Sequence, residues 1–65
     1  MKVSVNGQIR NVADVCSLKA LLDQWQLANQ RVVVERNGEI IDPSRYDVLL
    51  LDGDVVEIVR FVGGG

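Results

Sequence analysis

One amphipathic helix pattern, set among short β-branched runs, is the feature that most constrains the fold of this chain. Four apolar residues recur at i, i+3, i+4 and i+7, the spacing of one helix face: Leu18, Leu21, Leu22 and Trp25. Ser17 stands directly before them, where its hydroxyl can cap the first free amides. We expect the four apolar side chains to be core and the helix to end around residues 27–29.

A strand and a tight turn precede this helix. Residues 1–5 alternate in polarity with the period of a strand. The Asn6-Gly7 pair that follows is a strong turn signal, because both residues tolerate positive φ, and a returning strand comes after it. We favour a three-residue loop with a bulge here, because it keeps Ile9 on the face of Val5. A loop of only two residues would send Ile9 to the opposite face.

Three further strands are predicted after the helix, over residues 32–34, 39–41 and 55–62. An Asn37-Gly38 turn joins the first two, and Pro43 breaks the chain after the second because it lacks an amide donor. The order strand, strand, helix, strand, strand, strand predicts an α+β domain. In it, one main helix crosses one face of a mixed sheet of four to five strands. The last strand needs to lie beside the first for both to be buried; this strand order is what the resemblance described below implies, and the pattern does not fix it.

The residue inventory argues against catalysis and metal binding by the chain itself. There is no histidine to serve as a base or metal ligand, and the single cysteine, Cys16, cannot build a zinc site. We interpret Cys16 as a small buried hydrophobe. Asp52 and Asp54 flank a glycine and are interpreted as turn residues rather than a metal-binding pair. We therefore expect no metal and no bound cofactor.

Charge and hydropathy predict a cytoplasmic protein that binds neither nucleic acid nor membrane. The net charge is −2 and the 7 basic residues are scattered, whereas nucleic-acid binding normally shows a basic surplus on one face. The first residues lack the apolar stretch of a signal peptide. The longest apolar run, residues 48–51, is too short to span a bilayer. A lone cysteine agrees with a reducing compartment.

Three glycines, Gly63, Gly64 and Gly65, follow the last predicted strand without a spacer. We expect residues 1–62 to form the domain and residues 63–65 a flexible tail. Fully extended, the tail reaches about 10 Å, with no side chain to prevent it from threading a narrow channel and presenting a carboxylate. On the glycines alone, an expression scar, a frayed terminus or a shortened linker would look the same.

Three segments carry a family resemblance. Residues 17–22 begin the helix, residues 33–41 form the second Asn-Gly hairpin, and residues 52–65 combine a Gly-Asp turn, the last strand and the glycines. Together they closely resemble the ThiS family of sulfur carriers in thiamine biosynthesis. The resemblance covers the whole chain and implies a ubiquitin-like β-grasp fold. It also implies a carrier that other proteins act on, and not an enzyme.

The resemblance implies that the working group is the carboxylate of Gly65, with Gly63 and Gly64 as the thin tail behind it. A ubiquitin-activating-like adenylyltransferase would use ATP to form an acyl-adenylate on this carboxylate. A cysteine desulfurase persulfide or another sulfur donor would displace AMP and leave a thiocarboxylate. Thiazole synthase would then take up the sulfur. ATP is used by the partner enzyme and is not a cofactor of this chain.

The last strand also predicts a docking surface. Val56 and Ile58 alternate with Val59 and Phe61, so if the first pair meets the helix, the second lies on the open face near the tail. We predict that Val59, Phe61 and Val62 dock the partners. Phe61 is the expected anchor, because aromatic residues are enriched at energetic hot spots. The alternative is that loops or the curl of the sheet cover these side chains.

Three other functions share these features. The small subunit of molybdopterin synthase is similar at the tail, although that family is usually longer and carries extra segments. A protein modifier would use Gly65 in an isopeptide bond to a lysine. A plain β-grasp interaction domain would carry the tail without using it. In that last case, deletion of Gly64 and Gly65 would leave partner binding intact.

Overall fold

The computed structural model describes residues 1–27 and 31–61, and these residues form a five-stranded sheet with one α-helix. In chain order, the elements are β1 Lys2–Val5, β2 Gln8–Asn11, α1 Leu18–Gln24, β3 Val32–Arg36, β4 Glu39–Ile41, a 3-10 helix Pro43–Arg45 and β5 Val55–Arg60. This order confirms the predicted α+β class. The predicted tail, residues 63–65, and the preceding Val62 lie outside the described residues.

Strand β5 occupies the middle of the sheet. The strand order is β2-β1-β5-β3-β4. Strand β5 runs parallel to β1 and antiparallel to β3, while the two hairpins β1–β2 and β3–β4 are antiparallel. The mixed sheet therefore confirms the prediction that the last strand lies beside the first.

The core lies between α1 and one face of the sheet. Leu18, Leu21 and Leu22 are at most 1% exposed and pack with the inward residues of the strands. Those residues are Val3, Val5, Val34, Val56 and Ile58. Trp25, predicted to be core, is only partly buried at the margin of this cluster, where the Arg10 guanidinium carbon lies 5.4 Å from its ring centroid.

Helix α1 begins where the sequence predicts and ends earlier. The Ser17 hydroxyl accepts a hydrogen bond from the Ala20 amide at 3.0 Å, as expected of an N-cap. The last helical residue is Gln24, so the predicted end at residues 27–29 is wrong. Gln26 adopts φ 60, and the Leu27 amide donates back to the Leu22 carbonyl, which closes the helix at this point.

The first hairpin turn has two residues, so the predicted three-residue loop with a bulge is wrong. Asn6 and Gly7 both have positive φ, 49 and 82, as a tight hairpin turn requires. Val5 is paired with Gln8, and Ile9 accordingly lies on the opposite face with 69% of its surface exposed.

The side-chain amide groups of the two turn asparagines, Asn6 and Asn37, form hydrogen bonds with the backbone of strand β5. Asn6 Oδ1 accepts from the Ile58 amide at 2.8 Å, and Asn6 Nδ2 donates to the Ile58 carbonyl at 3.2 Å. Asn37 Oδ1 accepts from the Val55 amide at 2.9 Å. The two side chains thereby satisfy backbone groups of β5 at places where the neighbouring hairpins have already turned away.

Asp54 is the buried anchor of the turn that leads into β5. Its carboxylate is 5% exposed and accepts from Arg36 Nε at 2.9 Å, Asn37 Nδ2 at 3.0 Å and the Leu51 amide at 2.8 Å. Burial by itself raises the pKa of this carboxyl. The three hydrogen bonds and the Arg36 charge outweigh burial, so the Asp54 pKa lies below its ordinary value of 3.8.

We expect Asp54→Asn to lower the free energy of unfolding at neutral pH by about 2–4 kcal/mol, because it leaves the Arg36 charge half-buried without a counter-charge. Since the folded-state pKa is depressed, the contribution of Asp54 is present above its unfolded pKa and is lost as pH falls through the folded value. Urea unfolding at neutral pH and below pH ~4 measures both effects.

The matched control is Asp47→Asn, which changes an exposed carboxylate and should alter stability by less than about 0.5 kcal/mol. The acid-dependent loss of stability should be shallower in Asp54→Asn than in the wild type. Equal stability of the two variants at neutral pH would contradict the anchoring role of Asp54.

Candidate functional site

The open face of β5 carries the exposed apolar residues that the sequence predicts there. Val56 is fully buried and Ile58 is 8% exposed, whereas Val59 and Phe61 are 53% and 60% exposed. Val55, on the same face, is 46% exposed. The predicted division of this strand into a core face and an open face is therefore confirmed, and in the described residues neither a loop nor the curl of the sheet buries Val59 or Phe61.

Neighbouring strands extend this open face. Val33 of β3 is paired with Val59, and Ser4 of β1 is paired with Val55. Residues directly opposite each other across two strands share a face. The open side of β5 is therefore continuous with flanking residues of both neighbours and forms one surface across the middle of the sheet.

The pairing of β5 holds this surface in place up to the last described residue. On one side, β3 pairs with β5 as far as Arg60, and the Phe61 amide donates to the Arg31 carbonyl at 3.0 Å. On the other side, backbone pairing with β1 stops at Val56 and is extended to Ile58 by the Asn6 side chain. A firmly paired strand therefore presents the Phe61 side chain next to the start of the predicted tail.

The docking roles of Val59, Phe61 and Val62 stay predictions. The structure places Val59 and Phe61 on one exposed face, and Val62 lies outside the described residues together with Gly63, Gly64 and Gly65. The roles assigned to these glycines by resemblance likewise stay predictions.

The remaining candidate groups have structural roles. Cys16 is 7% exposed, which confirms its interpretation as a small buried residue. Asp52 Oδ1 accepts from the Lys2 amide at 2.7 Å, so both aspartates of the Gly53 turn bind protein groups, as predicted. Within residues 1–27 and 31–61, no three His, Cys, Asp or Glu side chains are grouped closely enough to hold a metal ion. No helix in these ranges is long and apolar enough to cross a membrane.

A depression of about 220 Å³ lies at the β3–β4 turn. Its lining mixes both charges with two aliphatic residues: Arg36, Asn37, Glu39, Ile41, Arg45 and Val48. The volume is below the range of about 300–1,000 Å³ usual for small-molecule sites. Arg36 is also engaged by Asp54, so the depression offers little convergent chemistry.

Comparison with known proteins assigns this combination of fold and exposed strand to a family. The ThiS family model matches residues 3–65. The crystal structure of the thiamine biosynthesis protein ThiS from Geobacter metallireducens superimposes with a TM-score of 0.84 and 36% identity, covering 100% of both chains. This similarity confirms the predicted ubiquitin-like β-grasp fold.

Curated relatives point the same way. The sulfur carrier protein ThiS of Bacillus subtilis is 48% identical over 65 residues, which cover 97% of this chain and 98% of that one. A thiazole synthase of Paramagnetospirillum magneticum is 44% identical over a stretch that covers 100% of this chain and 20% of the relative. The chain therefore spans a fifth of that thiazole synthase and nearly the full length of the Bacillus carrier. On this family match and these similarities, the chain belongs to the ThiS family.

Proposed function

We propose that this chain carries sulfur as a thiocarboxylate on the terminal carboxylate of Gly65 and delivers it to thiazole synthase in thiamine biosynthesis. The observation that carries the proposal is the 48% identity to a named sulfur carrier across nearly the whole of both chains. Family membership makes the chain a carrier, acted on by the active sites of other proteins.

Loading needs two steps, because a carboxylate is a poor electrophile. In the first, a Gly65 carboxylate oxygen attacks the α-phosphate of ATP on an adenylating enzyme, forming the acyl-adenylate and releasing pyrophosphate. In the second, sulfide attacks the acyl carbon, expels AMP and leaves the thiocarboxylate. If the donor is a cysteine desulfurase persulfide, the acyl disulfide formed first is cleaved by a thiol, which releases the same thiocarboxylate and a new disulfide.

This chain contributes binding and reach. Phe61 is the last described residue and directly follows strand β5, and the four residues after it can span at most about 14 Å. Gly63, Gly64 and Gly65 have no side chains, so an active-site channel needs to be only as wide as the backbone. Holding the domain on the outside of the partner while the carboxylate lies inside converts a bimolecular encounter into a step within one complex.

Thiazole synthase is the proposed acceptor of the sulfur. Two relatives named thiazole synthase each contain, in one longer chain, a stretch similar to the whole of this chain. The presence of both units in one polypeptide supports a working association between them.

The mass of the intact protein tests the proposal. After incubation with ATP, an adenylating enzyme from the same genome and sulfide, we expect a mass gain equal to the replacement of one oxygen by sulfur. Deletion of Gly65, or extension of the chain by one alanine, should abolish the gain. An unchanged wild-type mass, with an enzyme shown to be active on another carrier, would contradict the proposal. A covalent adduct to a lysine of another protein would instead indicate a modifier.

Phe61→Ala tests the docking surface. We expect the KM for the carrier in adenylation to rise about tenfold, because the change removes an exposed aromatic anchor. The free energy of unfolding should fall by less than about 0.5 kcal/mol, since the side chain is 60% exposed. Leu49→Ala is the matched control, because Leu49 is 55% exposed and lies outside the sheet. A loss of stability that accounts for the loss of activity would contradict a docking role.

A further inference from the structure

Two glutamates face each other in the middle of the open sheet face. Glu35 of β3 is directly paired with Glu57 of β5. Opposed residues of this kind have Cβ atoms about 5 Å apart, and like charges in such positions are destabilising. Within the described residues, neither carboxylate belongs to a salt bridge. The fold therefore holds a pair of repelling charges without a counter-charge from the described part of the chain.

The surroundings of this pair are apolar. Along β5, Glu57 lies between Val55 and Val59 on the open face. Across the strands, Val33 is opposite Val59. The two carboxylates are thus set within an apolar surface, which differs from the usual solvated acidic run on a protein exterior.

The cations on the same face lie at its two ends. At one end, Lys2 lies two residues before Ser4, which is paired with Val55. At the other end, Arg31 lies four residues before Glu35 in the sequence. A displacement of four strand residues corresponds to about 13 Å. The electrostatic centre of the open face is therefore acidic, with Val33 between it and Arg31 and with Ser4 and Val55 between it and Lys2.

We propose that the Glu35–Glu57 pair receives a Lys or Arg side chain of the adenylating enzyme, inserted at the centre of an apolar contact with Val33, Val55 and Val59. The inference rests on the proposed function, because that enzyme has to hold the domain while the chain end enters its site. Charge complementarity identifies the chemistry of the partner surface. Glu57 is on the strand that precedes Gly65 in the chain, and the adenylating enzyme is the partner that acts on Gly65 first in the proposed sequence of steps.

The free carrier and the complex then differ in a defined way. In the free carrier, the two carboxylates repel each other. In the complex, one guanidinium or ammonium group between them removes that repulsion and forms two charge-assisted contacts. The pair therefore contributes to docking at the expense of the stability of the free domain, and it makes association dependent on salt.

Glu57→Lys separates these two effects. In the free domain it places opposite charges across the strands, so the thermal midpoint should stay equal to the wild-type value or rise. In the complex it repels the partner cation, so the Kd for the adenylating enzyme, measured by titration calorimetry without a sulfur donor, should rise at least about tenfold. Asp47→Lys is the matched control, because it reverses an exposed carboxylate that lies outside the sheet, and its Kd should stay within about twofold of wild type.

The outcomes separate this inference from the proposed function. Wild-type affinity of Glu57→Lys would overturn the inference even if sulfur loading is normal. If Glu57→Lys binds the enzyme more weakly, and the wild-type chain binds it but gains no sulfur, the result would support the role of the Glu35–Glu57 pair in docking and contradict the carrier function. A wild-type chain that does not bind the enzyme at all would overturn both. A thermal midpoint of Glu57→Lys below that of the wild type would contradict the described repulsion.

Discussion

The hydrogen bonds that hold strand β5 between its two neighbours are the interactions on which the rest of the structure depends. Backbone pairing with β1 covers only Val55 and Val56. Further along the same edge of β5, the side-chain amide group of Asn6 forms hydrogen bonds with the backbone of Ile58. At the start of the strand, the buried Asp54 joins the turn to the β3–β4 hairpin. These contacts determine which side chains of β5 enter the core and which face outward.

A carrier of this design separates chemistry from recognition. Among the described residues, the cysteine is buried and both aspartates of the Gly53 turn are engaged with other protein groups. The described residues offer an apolar face with a central acidic pair, next to the strand end from which the proposed thiocarboxylate arm departs. A partner that recognises this face would place the chain end within reach of its own catalytic groups.

Much of the fold could be predicted because its local signals agree with its packing. The apolar stripe of the helix begins at Leu18, and both the stripe and its Ser17 cap depend only on residues close in sequence. The same is true of the alternation that divides β5 into two faces. What escaped prediction depended on contacts distant in sequence or on a choice between similar turns. The Asn6-Gly7 signal predicted a turn but did not determine the length of its loop. The prediction therefore placed Ile9 on the same face as Val5, which is the wrong face. Asp54 was interpreted as a turn residue, yet its counter-charge lies on Arg36, which no spacing in the sequence connects to it.

The most direct test of the central claim is to follow the sulfur atom itself. The chain would be loaded with radiolabelled sulfide, purified away from the adenylating enzyme and ATP, and mixed with thiazole synthase and its small-molecule substrates for a single turnover. The account predicts that the label leaves the protein, enters the thiazole product and returns the carrier to its original mass. Retention of the label on the chain while thiazole is formed, or its release as free sulfide without thiazole, would contradict the claim that this protein delivers the sulfur.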